Sequence, residues 1–162
     1  MLQKRKINSN QSLDRRFAQK IRRFRFAIVA ARYNEGLADS LLRSALDALS
    51  RAGASRVATV RVPGSYEAPV VVARLAKSGK YDAILALGVV LRGRTAHAEH
   101  ISAACAVNLQ RIAIETGVPV IHQILTPRNA RDAATRVHLR GKEAAQTAIE
   151  MAVTMQNVKY KI

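Results

Sequence analysis

The chain has 162 residues, 49% of them apolar, which fits one domain with a substantial core. Aromatic residues make up 4% and Trp is absent, so that core is built mostly from Ala, Val, Leu and Ile, while the lone Cys105 excludes an intramolecular disulfide and suits a reducing, cytoplasmic setting. A net charge of +16 predicts attraction to polyanions, no run approaches the ~18–20 apolar residues of a membrane span, and the basic N-terminus lacks the apolar stretch of a secretory signal.

The charge is concentrated at the start. Lys4, Arg5, Lys6, Arg15, Arg16, Lys20, Arg22, Arg23 and Arg25 face a single acid there, Asp14. Residues 1–24 therefore form a basic N-terminal arm, and residues 25–162 an α/β domain. Three readings of the arm stay open: a solvated tail, a nucleic-acid contact, or a segment packed on a neighbouring subunit.

From residue 26 the pattern alternates between strand and helix. Phe26 to Ala31 is a continuous apolar run, as expected of a strand buried on both faces. From Gly36 to Ala52 the Leu and Ala residues recur at helical spacing, and Gly53 closes the segment. Arg56 to Val62 alternates as a strand, broken by Pro63-Gly64. Ala68 to Ser78 reads as a helix ending before Gly79. Asp82 to Leu91 is the most apolar strand and so the central one. Ala96 to Thr116 predicts a long helix closed by Gly117, and Val118 to Leu125 a fourth strand, with Pro119 at its start where a missing donor is tolerated. Arg128 to Arg136 predicts a short helix and Gly141 to Val158 a longer one. The order β-α-β-α-β-α-β-α-α, with right-handed crossovers, implies a three-layer sandwich of flavodoxin-like type: a central four-stranded parallel sheet flanked by helices.

Ligands of such sheets bind at the carboxyl ends of the strands. Arg32-Tyr33-Asn34 follows the first strand, Pro63-Gly64-Ser65-Tyr66-Glu67 the second, Arg92 to His97 the third and Thr126-Pro127-Arg128 the fourth. Gly93-Arg94-Thr95 precedes a long helix, whose N-terminal amides and dipole favour an anion; the plain alternative is a turn and cap. His97, in the first helical turn, is placed either to shuttle protons near neutral pH or to cap and pack. His97-Ala98-Glu99-His100 lacks the i,i+4 histidines of a zinc-protease motif and has no partner cysteines, so no metal is expected. Tyr33 is placed to stack on a planar heterocycle or to cover the sheet edge. Gly64 would let a ligand approach the backbone, and Glu67 is suited to the helix dipole or to a polyol. Arg136 and Arg140 could complete an anion site or be solvated charges. Nucleotide-binding and hydrolase signatures are absent, and Cys105, inside a helix, reads as a core thiol.

Together these segments resemble the lumazine synthase family over about residues 25 to 155. Arg32-Tyr33-Asn34 is similar to its R-F-N, and Val62 to Pro69 to V-P-G-A-F-E-I-P. Tyr81 to Ile84 followed by Ala86 to Gly93 is similar to Y-D-A-[IV] and A-L-G-x-V-I-R-G. Thr95 and His97 match T-x-H, Thr116 to Val120 matches T-G-V-P-V, and Gly141 to Ala145 resembles G-x-E-A-A. The resemblance implies condensation of 5-amino-6-ribitylaminouracil with 3,4-dihydroxy-2-butanone 4-phosphate to 6,7-dimethyl-8-ribityllumazine, phosphate and water, without a cofactor. It implies that Tyr33 and residue 122 stack on the pyrimidine and that Ser65, Tyr66 and Glu67 hold the ring and ribityl chain. Val90 and Leu91 would line the ring pocket, Gly93, Arg94, Thr95 and Arg136 would bind phosphate, and His97 would move protons. It implies a homopentamer or an assembly of pentamers with sites between subunits, residue 122 and Arg136 coming from the neighbour.

The chain departs from the family pattern at specific places. His122 replaces an aromatic, often Phe, and Gln123 a Gly. Ala98-Glu99-His100-Ile101 replaces aromatic-D-[YF]-V, and Ala104 a Glu. The segment between Arg136 and Gly141 is about four residues short, with Arg140 where a Lys precedes the Gly. That segment shapes packing between pentamers, so a pentamer or decamer is expected. Two alternatives to an active enzyme follow: a slow or inactive paralogue that holds a lumazine or flavin, and a polyanion-binding scaffold acting through the basic arm.

Overall fold

The computed structural model describes residues 17–159; most of the basic arm, residues 1–16, lies outside the described residues. Within them, four strands run β1 (Phe26–Ala31), β2 (Val57–Val62), β3 (Ala83–Val89) and β4 (Val120–Leu125). The helices are α1 (Glu35–Arg51), α2 (Ala68–Lys77), α3 (His97–Thr116) and α4 (Ala130–Lys159), with a 3-10 turn at Ser65–Glu67. The sheet is parallel throughout, in the order β2-β1-β3-β4. Phe26 pairs with both Val57 and Ala83, and Ile84 with Val120.

The continuous apolar runs of β1 and β3 are explained by the layering. Both strands are central, and every residue in them is buried, because helices cover the two faces. Phe26, Ile28 and Ala30 join Ala83, Leu85, Leu87 and Val89 in one core, with Leu41 and Leu49 of α1 and Ala144 and Ala148 of α4. Ala27, Val29 and Ala31 point the other way, to Val72 of α2 and Cys105 and Leu109 of α3. The alternation of period two thus assigns α1 and α4 to one face and α2 and α3 to the other. β2 and β4 are outer strands and only partly buried.

Three expectations are corrected. The strand predicted from Asp82 begins at Ala83, because the Asp82 carboxylate turns back to accept the Arg25 backbone N–H at 2.7 Å. Residues 17–24, assigned to the arm, belong to the folded body: a helical turn runs from residue 17 to 21, with Ile21 and Phe24 in the core. The two C-terminal helices are one, of 30 residues. Gly141, expected to open a new helix, lies in the middle of this one. Gly141 is where α4 crosses α1: a β-carbon there would stand 2.5 Å from the Leu41 carbonyl oxygen and 2.7 Å from Ser44 Cβ. Beside the crossing, the Ser44 hydroxyl donates to the His138 carbonyl at 2.5 Å.

Candidate active site

The site grows from the carboxyl ends of β1, β2 and β3. After β1 the backbone N–H groups of Arg32 and Tyr33 donate to the Pro63 carbonyl at 3.1 and 3.0 Å, locking the first loop to the second. Asn34 follows in the left-handed region, φ 60°, a conformation Asn tolerates better than most residues. Its side-chain amide donates to the Val89 carbonyl at 2.8 Å. The end of β1 is thereby tied to the end of β3 across the floor of the site.

Gly64 is required by its neighbours within the protein. A β-carbon on it would lie 2.9 Å from Cδ2 of the Tyr33 ring and 2.8 Å from Oε2 of Glu67. The ring of Tyr33 therefore packs on the side of Gly64 where a β-carbon would stand, while Gly64 also lines the cavity described below. The same Glu67 oxygen accepts the Gly64 N–H at 2.9 Å, so one carboxylate oxygen holds the turn. Tyr33 remains 68% exposed and Tyr66 62% exposed, which leaves aromatic surface open at the rim.

Ser65 is held from two sides. Its carbonyl accepts the Cys105 thiol at 3.2 Å, and its hydroxyl lies against Gly88 of β3, where any β-carbon would collide with it. The residue is 5% exposed, yet its Oγ has no hydrogen-bond partner among the described residues. A buried hydroxyl without a partner costs stability, and the Ser65 Oγ is such a group among the described residues. Burial, and secondarily the charge of Glu67, push the Cys105 thiol up to about 11. It stays protonated at neutral pH and serves as a donor.

The remaining wall comes from the end of β3 and the first turns of α3. Tyr33, Asn34, Gly64, Ser65, Tyr66 and Glu67 on one side, and Val89, Val90, Leu91, His97, His100, Ile101 and Ala104 on the other, enclose about 740 Å³. That falls within the range of small-molecule sites. Seven residues singled out from the sequence therefore meet around one cavity: Tyr33, Ser65, Tyr66, Glu67, Val90, Leu91 and His97.

The other named residues lie elsewhere in the chain's own fold. Gly93, Arg94 and Thr95 form the exposed approach to α3 and do not line the cavity. The residue capping α3 is Ala96 rather than Thr95, and no side chain caps the helix, so its first amides are left to another acceptor. Gly93 is not in the left-handed region and a β-carbon there would meet open space; the sharp glycine turn expected after the strand is corrected to an ordinary one. Arg92 pairs with Glu99 at 3.4 Å, whereas no ion pair among the described residues includes Arg94. His122 lies on the outer strand β4 beside Ala86, away from the cavity and exposed. Packing on one side still desolvates its ring and lowers its pKa, opposed by a weaker backbone hydrogen-bond effect. Arg136 and Arg140 are exposed on α4, across the sheet from α2 and α3. Arg140 pairs with Glu143 at 2.9 Å.

Sequence reasoning missed five wall residues: Asn34, Val89, His100, Ile101 and Ala104. Asn34 stood inside a quoted motif but was not singled out; its signal was a non-glycine residue between a strand and a helix. His100 and Ala104 were noticed only as departures, although spacings of three and seven from His97 put all three on one helical face. Among the described residues no group of three or more His, Cys, Asp or Glu could hold a metal ion, and none of their helices is long and apolar enough to cross a membrane.

The layers, the parallel order and a cavity at the strand ends define a doubly wound α/β protein that holds a small molecule at the edge of its sheet. The family model for 6,7-dimethyl-8-ribityllumazine synthase matches residues 23–156, and the chain belongs to that family. Its activity is the family's: a transferase of riboflavin biosynthesis that forms 6,7-dimethyl-8-ribityllumazine.

Proposed function

We propose that the condensation takes place in the cavity between Tyr33 and His97. The observation that carries this reading is the single cavity at the carboxyl ends of the strands that brings Tyr33, Ser65, Glu67 and His97 together. The substrate amine is itself the nucleophile, so the protein has to position two molecules and move protons. Tyr33 stacks on the pyrimidine while Val90 and Leu91 pack against its edge. Ser65, Tyr66 and the other carboxylate oxygen of Glu67 hold the polar ring and ribityl groups. The phosphate sits before α3, at the uncapped amides and with Gly93, Arg94 and Thr95. His97 then moves protons as the amine attacks the ketone, a first water leaves to give the imine, phosphate is eliminated, and the ribityl-bearing nitrogen attacks the remaining carbonyl to close the ring with loss of a second water. No step calls on a cofactor.

His122, Arg136 and Arg140 lie away from their own chain's cavity. They are read as the part of the site that a neighbouring subunit completes, His122 by stacking and Arg136, assisted by Arg140, by binding phosphate. The working form is accordingly a homopentamer or an assembly of pentamers in the cytoplasm. A direct test titrates 5-amino-6-ribitylaminouracil into the wild type and Tyr33→Ala. Loss of stacking weakens binding roughly three- to tenfold; unchanged affinity places the pyrimidine elsewhere.

A further inference from the structure

The end of the fold opposite the cavity carries positive charge that the condensation does not use. β1 and β2 enter the sheet in register, Phe26 beside Val57, and the Phe26 N–H donates to the Arg56 carbonyl at 2.9 Å. Arg25 and Arg56 therefore stand side by side where the two strands begin. Arg22 and Arg23 occupy the preceding turn. Its helical residues pack on the end of α1, where a β-carbon on Gly53 would lie 3.1 Å from the Ala18 carbonyl oxygen, two residues beyond Arg51. Lys80 comes two residues before Asp82, whose N–H donates to the Arg25 carbonyl at 2.8 Å. All six cations are exposed, and none belongs to an ion pair among the described residues. The acid set among them, Asp82, has its Oδ2 engaged by the Arg25 N–H.

Distance separates this cluster from substrate binding. A strand of six residues spans about 20 Å, more than twice the ~8 Å over which charges act through physiological salt. A second copy of the same face would bring like charges together. Phe17, three residues before Lys20, is 51% exposed and offers an aromatic face at the same end.

We propose that this base of the fold, centred on Arg25 and Arg56, binds single-stranded nucleic acid, as a function separate from the condensation. The guanidinium and ammonium groups pair with successive phosphates, and a base stacks on Phe17. A membrane-surface helix needs a continuous apolar face; of the helical residues described here Ile21 is buried in the core, so an anionic bilayer matches less well.

The test is fluorescence anisotropy of the full chain with a labelled oligouridylate of about twenty nucleotides, longer than one single-strand binding site, over a salt series. Arg25→Glu with Arg56→Glu, and separately Arg22→Glu with Arg23→Glu, are compared with Arg131→Glu with Lys142→Glu, the same charge change on α4. Both base pairs should weaken binding at least about tenfold and flatten the salt dependence by about 0.7 for each phosphate that is no longer neutralised. The α4 pair should cost far less, and all three variants should keep wild-type turnover. An equal loss in the α4 pair, no loss in the base pairs, no binding by the wild type, or binding to equimolar phosphatidylserine–phosphatidylcholine vesicles but not to the oligonucleotide would each overturn the proposal.

Discussion

The ring of Tyr33 lies across Gly64 so closely that a β-carbon on the glycine would come within 2.9 Å of it. The glycine and the aromatic are therefore one device: the loop after β2 seats the ring supplied by the loop after β1. Gly64→Ala must displace the ring, the Glu67 carboxylate, or both. We expect it to cost about 1–3 kcal/mol of stability, as overpacking does, and to raise KM for the pyrimidine substrate more than it lowers kcat. Urea denaturation and steady-state kinetics on the same variant check both halves. An alanine that leaves KM unchanged would separate ring position from binding.

Ser65 distinguishes a ligand-facing group from a structural one by the sign of a stability change. Its hydroxyl has no partner among the described residues, so Ser65→Ala removes no hydrogen bond from the apoprotein. Stability of the unliganded variant should fall by less than about 1 kcal/mol or rise, while substrate affinity falls. A large loss of apo stability with affinity intact would make the hydroxyl a structural group.

Gly141 should be intolerant of alanine, against helix propensity. In an exposed helix Gly→Ala stabilises by about 0.4–1 kcal/mol, but here the methyl group would stand 2.5 Å from the Leu41 carbonyl. Gly141→Ala should therefore destabilise, by about 1–3 kcal/mol. A gain in Tm would mean that α1 and α4 have room between them for the methyl group.

Cys105 ties stability to alkaline pH. Burial raises its pKa from 9.0 to about 11 in the folded protein, so folding favours the neutral thiol. Its contribution is complete below pH 9 and is lost as pH rises from about 9 to 11, where the unfolded chain releases a proton that the folded chain keeps, at up to ~1.4 kcal/mol per pH unit. Cys105→Ala should lose this dependence, read as the difference between the two denaturation series. Parallel pH profiles would exclude it.

His122 acts in the opposite sense. Desolvation lowers its pKa from 6.5, so the folded protein favours the neutral ring, and the associated stability is lost as pH falls below about 6.5. Its imidazole resonance, assigned by comparison with His122→Gln, should titrate below that value. A midpoint above 6.5 would show a nearby negative charge in the assembled protein.

The central strands were legible because burial on both faces leaves an unbroken apolar run, as in Phe26 to Ala31. The order of site loops was legible because doubly wound sheets gather loops at one edge. Side-chain commitments were not: Glu67 holding Gly64, Gly64 yielding to Tyr33 and Asn34 reaching Val89 depend on contacts 3 to 55 residues apart. The single long α4 was missed because a glycine in mid-helix reads as a boundary when the α1 backbone that it accommodates is not in view.

The most direct measurement of the central claim is turnover: purified protein with 5-amino-6-ribitylaminouracil and 3,4-dihydroxy-2-butanone 4-phosphate, followed by lumazine fluorescence, for the wild type and His97→Ala. The account predicts product formation well above the uncatalysed rate, and a kcat roughly 10²- to 10⁴-fold lower in the variant, as expected for a proton-transfer group. A folded wild-type assembly that binds the pyrimidine without turning it over, or a His97→Ala variant as fast as the wild type, would contradict it.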